Sequence, residues 1–556
     1  MNSFRARKKQ LIVLTVVTIL FLSLSAYNSI ANSDRYFQIV KNLDIFATLF
    51  KEVNTYYVDE INPNELMKVG IDAMLNSLDP YTDYIPEDDI EEYMTMTTGE
   101  YGGIGALVDK KDGINTITMP FEDSPAQKAG LKIADQILSI NGIDLKGKNS
   151  DDISKLLKGA SSSQIEMVIK RPFVDDPFTV TVKREKITVN NVPYFGMIND
   201  DIGYVRLSDF TTKAGKEVAA AVKNLKTEGA TGVILDLRGN PGGLLDEAIK
   251  VSNVFVEKGK EIVSTRGKLE TWTKSYESEM DAVDTEIPLA VLIDNGSASA
   301  SEIVSGVMQD YDRGVLIGRQ TFGKGLVQQT RPLAYNSQLK VTTAKYYIPS
   351  GRCIQAIDYS HRNPDGSVGK IPDSLKTEFK TLNGRVVFDG GGLKPDVELS
   401  PEEYAQVSYS LLQNDHIFNY ATIYAHKHPQ IEEPKSFALT DLEYNEFVTW
   451  LKDKEYSYTT EVEKTVEKLI ASAKKEKYFT DIEKQILDLK KATLHNKSTD
   501  LITFKREIKT LLEQEIVSRY YQQRGAIEST FGEDPDIIKA VEVLQDGDTY
   551  ARLLGK

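Results

Sequence analysis

A serine hydroxyl at a sharp turn and a lysine amine a short way downstream are the residues of this chain best suited to chemistry. The serines lie in Asp294-Asn295-Gly296-Ser297-Ala298-Ser299-Ala300-Ser301-Glu302, and the lysine lies in Phe322-Gly323-Lys324-Gly325. An apolar strand is expected over 287–293. A helix is expected beyond the small-residue run, with Ile303, Val304, Val307 and Met308 on one face. A strand-to-helix turn of this kind exposes a serine hydroxyl and lets neighbouring backbone groups face an incoming carbonyl. Serine alone is a poor nucleophile and needs a base. The five histidines, His361, His416, His426, His428 and His495, all lie outside the apolar, Gly-rich middle of the chain. Lys324 is therefore the better base, flanked by glycines that let backbone pack closely around it.

Three serines compete at the turn. Serine is favoured at helix N-caps, and Ser297 is the best capping candidate. That places Ser299 in the first helical turn, where the helix N-terminus stabilises negative charge. Glu302 fits a first-turn carboxylate and reads as structural. Lys324 must be neutral to accept a proton, so its reference pKa of about 10.4 has to fall through burial. Phe322, Leu326 and Val327 are the apolar neighbours available for that.

The region resembles the active site of the carboxyl-terminal processing peptidases, a Ser-Lys family. The resemblance covers roughly residues 35–400 and rests on several motifs. They are Asp236-Leu237-Arg238-Gly239-Asn240-Pro241-Gly242-Gly243, the Ser-Ala-Ser-Ala-Ser-Glu run, Gln309-Asp310-Tyr311, Thr321-Phe322-Gly323-Lys324-Gly325 and Pro349-Ser350-Gly351-Arg352. It implies Ser299 as nucleophile and Lys324, 25 residues on, as base. It also implies Gln328, four residues beyond the lysine, as the group that holds the amine. Acyl transfer needs donors aimed at the oxyanion. The N–H of Ala300 is one, and the N–H of Gly242, chosen over Gly243, is expected as the second.

The chain is longer than one domain usually is, at 556 residues, and its net charge is −15. That balance argues against nucleic acid as a partner, because phosphate binding needs a basic surface. Arg5, Arg7, Lys8 and Lys9 precede an uncharged apolar run over 11–26, and Ser29-Ile30-Ala31 offers a cleavage site. Residues 1–31 are thus expected to be a signal peptide or, if uncleaved, a membrane anchor, with the remainder exported to a periplasmic or other extracytoplasmic compartment. Cys353 is the only cysteine, so no internal disulfide is available. No metal-ligand set, ATP loop or other cofactor motif is present.

Residues 35–90 read as helical, either a cap on the core or a dimerisation arm, which leaves a homo-oligomer open. Residues 91–185 resemble a PDZ domain. Gly102-Gly103-Ile104-Gly105 has the form of its carboxylate-binding loop, with Ser124-Pro125-Ala126 and Asp135-Gln136-Ile137-Leu138 following in order. Ala134 stands where a glycine usually precedes that aspartate. Such a loop converges N–H groups on a terminal carboxylate while the peptide adds as a strand. Residues 186–400 alternate strands and helices and read as an α/β sheet domain. The resemblance implies a crotonase-like spiral of ββα units, with 358–389 as a polar surface insertion. Residues 401–556 read as a charged helical domain, by default a solvated appendage.

The expected function is an exported serine endopeptidase. It would capture protein C-termini on its PDZ domain and cut them nearby. One rival is an inactive exported PDZ scaffold, which the joint presence of Ser299, Lys324 and Gln328 disfavours. Another is a crotonase-type acyl-CoA enzyme, which the export signal and PDZ domain disfavour.

Overall fold

The computed structural model describes residues 35–401, 403–493 and 497–556. The expected export segment, 1–31, and His495 lie outside them. Among the described residues no helix is long and apolar enough to cross a membrane. The chain separates into two units, 1–84 and 85–556.

In the first unit a helix runs over 35–56 and a second over Pro63–Asn76. The Asn62 side chain caps the second by accepting the N–H of Asn64, and Pro63 occupies the first turn, where no N–H is needed. Tyr36, Phe37, Leu43 and Leu49 are exposed on the first.

The second unit opens with a helix, Ile90–Thr98, and then the PDZ-like region. Strands Ala106–Lys111, Ile114–Pro120, Gln136–Ile140, Gln164–Lys170 and Phe178–Lys183 lie side by side, all antiparallel. Ile117, Ile137, Ile140 and Met167 alternate inward to fill the core beneath the helix Ser150–Leu157. Ala106–Lys111 is an edge strand, so one row of its backbone groups is open to pairing. Ala134 adopts φ 75°, a left-handed conformation in which its Cβ is strained. The turn survives because Ala134 N–H is held by Ile117 O and Asp135 by Arg171.

The peptidase-like core is a six-stranded sheet. Its strands are β1 (Tyr194–Met197), β2 (Ile202–Arg206), β3 (Gly232–Asp236), β4 (Leu289–Ile293), β5 (Val315–Gly318) and the short partner of β5, Val397–Glu398. β1 is antiparallel to β2 and every other pairing is parallel. Parallel strands are buried on both faces and read as unbroken apolar runs, as β3 and β4 do. One face, with Val205, Leu235 and Val291, packs on α1 (Ala214–Glu228), α2 (Leu245–Asn253) and α3 (Ala300–Asp310). A hairpin of β6 (Leu326–Pro332) and β7 (Gln338–Tyr347) stands beside it, with β7 pairing Glu261–Gly267.

The opposite face carries Tyr204, Ile234, Leu292 and Ile317. It is covered by α4 (Pro535–Gln545) from the far end of the chain, through Ile537, Ala540, Val543 and Leu544. This corrects the reading of 401–556 as a solvated appendage. A sheet apolar on both faces needs a second covering layer, and the C-terminal helices supply it. The polar stretch 358–389 forms two small hairpins at the surface, rooted by Arg385 on Asp312 (2.6 Å) and Asp396 (2.5 Å).

Candidate active site

β4 is wholly buried and delivers the chain into the serine turn. Asp294 organises that turn: its Oδ1 accepts the N–H groups of Gly296 (2.9 Å), Ser297 (3.1 Å) and Gly239 (2.8 Å). The last bond ties the turn to the loop after β3. The three serines then part company. Ser297 Oγ donates to Leu237 O (2.8 Å) and Ser301 Oγ to Asn240 O (2.9 Å), and both are fully buried. Ser299 alone of the three is half-exposed.

α3 begins at Ala300, which makes Ser299 its N-cap residue rather than Ser297. The hydroxyl of Ser297 is spent on the strand end, so the helix starts two residues later than capping preference suggests. Ser299 sits at φ 55°, ψ −112°, a sparsely populated conformation for a residue with a side chain. Strain of this kind persists only where surrounding bonds impose it. Here the Ser299 N–H donates to Glu302 Oε2 (2.9 Å) and its carbonyl accepts from Tyr346 OH (3.2 Å).

Glu302 is the residue whose weight the sequence reading missed. Its carboxylate is fully buried and receives four donors. Oε1 takes Thr321 Oγ1 (2.5 Å) and Gly323 N–H (2.8 Å), and Oε2 takes Lys324 N–H (2.9 Å) together with that of Ser299. Two bonds of 2.9 Å to one oxygen hold the Ser299 and Lys324 backbone nitrogens no farther apart than twice that distance. Burial pushes the Glu302 carboxyl up to about 7, against the four donors that favour its ionised form. The signal in the sequence was a glutamate three residues after a serine. Its other three partners lie 19–22 residues away and could not be read from that spacing.

The lysine loop is fixed on its other side as well. Gly325 N–H donates to Gln355 Oε1 (2.7 Å), and Ala356 N–H to Gly323 O (2.9 Å). Gly323 takes φ 86°, and a Cβ there would lie 2.4 Å from that of Ala356. Lys324 itself is half-buried, between exposed Phe322 and buried Leu326. Gln328 lies on β6 and donates from Nε2 to Thr342 Oγ1 (3.1 Å) on β7.

The glycine loop approaches the serine turn closely. A Cβ on Gly242 would lie 2.6 Å from Ala298 O, 2.8 Å from Ala300 N and 2.9 Å from Ser299 Cβ, so only glycine fits. The Ala300 N–H has no acceptor among the described residues. The Gly242 N–H does: Asn240 Oδ1 at 2.9 Å. That counts against Gly242 as a free donor, whereas Gly243 N–H has no such partner. The other two motifs also meet. Arg352 is buried and bonds Gln309 Oε1 and Asp310 Oδ1, both at 2.8 Å.

The four described histidines are engaged elsewhere. His361 pairs with Asp358, His416 with Glu455 O, His426 stacks on Phe173 and His428 on Tyr424. Cys353 is partly buried and its thiol is pushed up by desolvation. Among the described residues no group of His, Cys, Asp and Glu is placed to hold a metal ion.

In the PDZ-like region, Gly102 and Gly103 end the strand Glu100–Gly103, which pairs Glu185–Thr188. Ile104 is buried in the local core, and Gly105 turns at φ 72° against Ser124, where a Cβ would sit 2.5 Å away. The chain then enters the open edge strand.

Residues 201–365 match peptidase family S41, residues 117–171 a PDZ domain, and residues 407–544 the family described as "Probable PDZ-protease, C-terminal helical domain". The "Probable CtpA-like serine protease" of Staphylococcus aureus is 34% identical over 345 residues, covering 62% of this chain and 67% of that one. A solved "photosystem II D1 C-terminal processing protease" is 26% identical, covers 64% of this chain and 92% of its own, and gives a TM-score of 0.34. The "Carboxy-terminal-processing protease" of Bartonella bacilliformis is 38% identical over 392 residues, which are 67% of this chain and 89% of that protein. On that likeness, joined to the family match across the serine turn and the lysine loop, the chain belongs to peptidase family S41 and is a serine peptidase of the carboxy-terminal-processing kind.

Proposed function

We propose that this protein is an exported peptidase that works through a Ser299–Lys324 dyad and finds its substrates by their free C-termini. The observation that carries the dyad is the shared Glu302 oxygen, which brings the two backbones together although 25 residues separate them. In the proposed route, neutral Lys324 Nζ takes the Ser299 hydroxyl proton as Oγ attacks the scissile carbonyl. The Ala300 N–H and a second N–H from the glycine loop receive the oxyanion. The lysine ammonium then gives its proton to the leaving amine, and the C–N bond breaks. Water, deprotonated by the same lysine, releases the acyl group and restores the serine. Gln328 is assigned to hold the lysine amine through its side-chain oxygen.

The PDZ-like region is assigned capture of the substrate's terminal carboxylate at Gly102, Gly103, Ile104 and Gly105, with the peptide adding to the Ala106–Lys111 edge. The parallel strands and connecting helices of the core support the crotonase-like spiral. The domain limits set out above, and residues 1–31 as export signal or anchor, belong to the same proposal.

Peptide cleavage by three variants tests it. Ser299→Ala and Lys324→Ala should each lose activity to a similar extent, because nucleophile and base act as a unit. Lys324→Arg should not rescue, since a guanidinium does not give up its proton. Ser297→Ala should keep a functional dyad at lower stability. Activity retained in Ser299→Ala would overturn the assignment.

A further inference from the structure

Two arginines begin the two loops of the candidate site. Arg238 follows β3 and opens the segment to Gly242 and Gly243. Arg319 follows β5 and opens the segment to Lys324. Both guanidinium groups meet one carboxylate from the other end of the chain. Asp536, in the first turn of α4, accepts Arg319 Nη2 at 2.8 Å and Arg238 Nη1 at 3.0 Å on Oδ2. Asp534, the N-cap residue of α4, accepts Arg238 Nη1 at 2.8 Å and also caps the helix through the N–H of Asp536. Asp236 holds the inner side of Arg238 (2.7 Å from Nη2) and takes Arg206 (2.7 Å) as well. Three arginines thus face three aspartates. The Asp536 side chain is 2% exposed and that of Asp236 is not exposed at all.

Stability alone is a poor account of this cluster. The apolar face of α4 already covers the sheet, and buried ion pairs rarely stabilise more than apolar groups of the same volume. They do fix geometry, because planar guanidinium forks accept few arrangements. We propose that Asp536 is a positioning residue for peptide hydrolysis, holding the glycine loop through Arg238 and the lysine loop through Arg319 in mutual register. The helical domain is then part of the catalytic frame. This rests on the roles proposed for Ser299 and Lys324.

The test is kcat in the full-length protein, normalised to active sites counted with a fluorophosphonate. Asp536→Asn should lower kcat per active site about 10–100-fold, as loss of alignment by about 1 Å does, with KM nearly unchanged. Combined with Arg319→Gln it should lose less than the product of the single effects, since the two share one contact. Arg506→Gln, which removes an exposed pair with Glu533 in the same domain, should keep wild-type kcat. If Asp536→Asn does not fold, Arg319→Lys keeps the charge, removes the fork and should lower kcat in the same way. A lower melting temperature with wild-type kcat per counted site would reduce Asp536 to a docking residue and overturn the proposal. Activity surviving in Ser299→Ala would overturn the dyad and this proposal with it, whereas wild-type kcat in Asp536→Asn with Ser299→Ala inactive would overturn this proposal alone.

Discussion

Glu302 joins stability to chemistry in one side chain. The carboxylate that orders Ser299 and the lysine loop is also one that burial raises from the ordinary 4.5 to about 7. Its folded value lies above its unfolded value, so the folded state binds the extra proton. The stabilising contribution is complete below the unfolded value and is lost as pH rises through about 7. Wild type should therefore lose stability relative to Glu302→Gln as pH rises from about 4.5 to about 7, measured by denaturant unfolding. Parallel curves for the two proteins would contradict the burial argument. The same variant should be a poor enzyme. A glutamine has one oxygen for four donors, so at least two of Thr321, Gly323, Lys324 and Ser299 would face an amide N–H₂. We expect kcat to drop about 10–100-fold, and wild-type kcat would show that the register of the two loops is set elsewhere. Gly242→Ala should abolish cleavage, because the methyl collides with Ala298 O and Ala300 N. Circular dichroism should remain native, and retained activity would place the oxyanion elsewhere.

At the scale of elements, what could be read from the sequence was what is local. The strand expected over 287–293 is observed as Leu289–Ile293, and the helix expected beyond the small-residue run as Ala300–Asp310. Apolar runs and caps determine each of these. The serine turn was legible as a turn and the resemblance implied Ser299, but which hydroxyls are spent on backbone acceptors was not legible, since Ser297 and Ser301 find theirs 60 and 61 residues away. The covering layer was missed for the same reason: Arg238 and Asp536 are 298 residues apart. Ala134 shows the opposite case, a local expectation of glycine that tertiary bonds override at φ 75°. Ala134→Gly should relieve that strain and stabilise the protein by about 1 kcal/mol, less what the more flexible unfolded chain takes back. A lower melting temperature would mean that the Ala134 methyl makes contacts worth more than the strain it causes.

Over the whole molecule, an edge strand in the PDZ-like region and a serine turn in the core are parts of one proposed operation, capture then cleavage. Capture is read by comparing a peptide that has a free apolar C-terminus with its amide, which loses the charge-assisted bonds to the loop at Gly102–Gly105. The acid should be cut faster at low substrate concentration, and equal rates at every concentration would mean that the terminus is not recognised. Cleavage itself is tested most directly by where a fluorophosphonate attaches. Mass spectrometry of the digested adduct should place the label on Ser299, with labelling rising as pH is raised and absent in Lys324→Ala. A label on Ser297 or Ser301, or full-rate labelling of Lys324→Ala, would contradict the Ser299–Lys324 dyad.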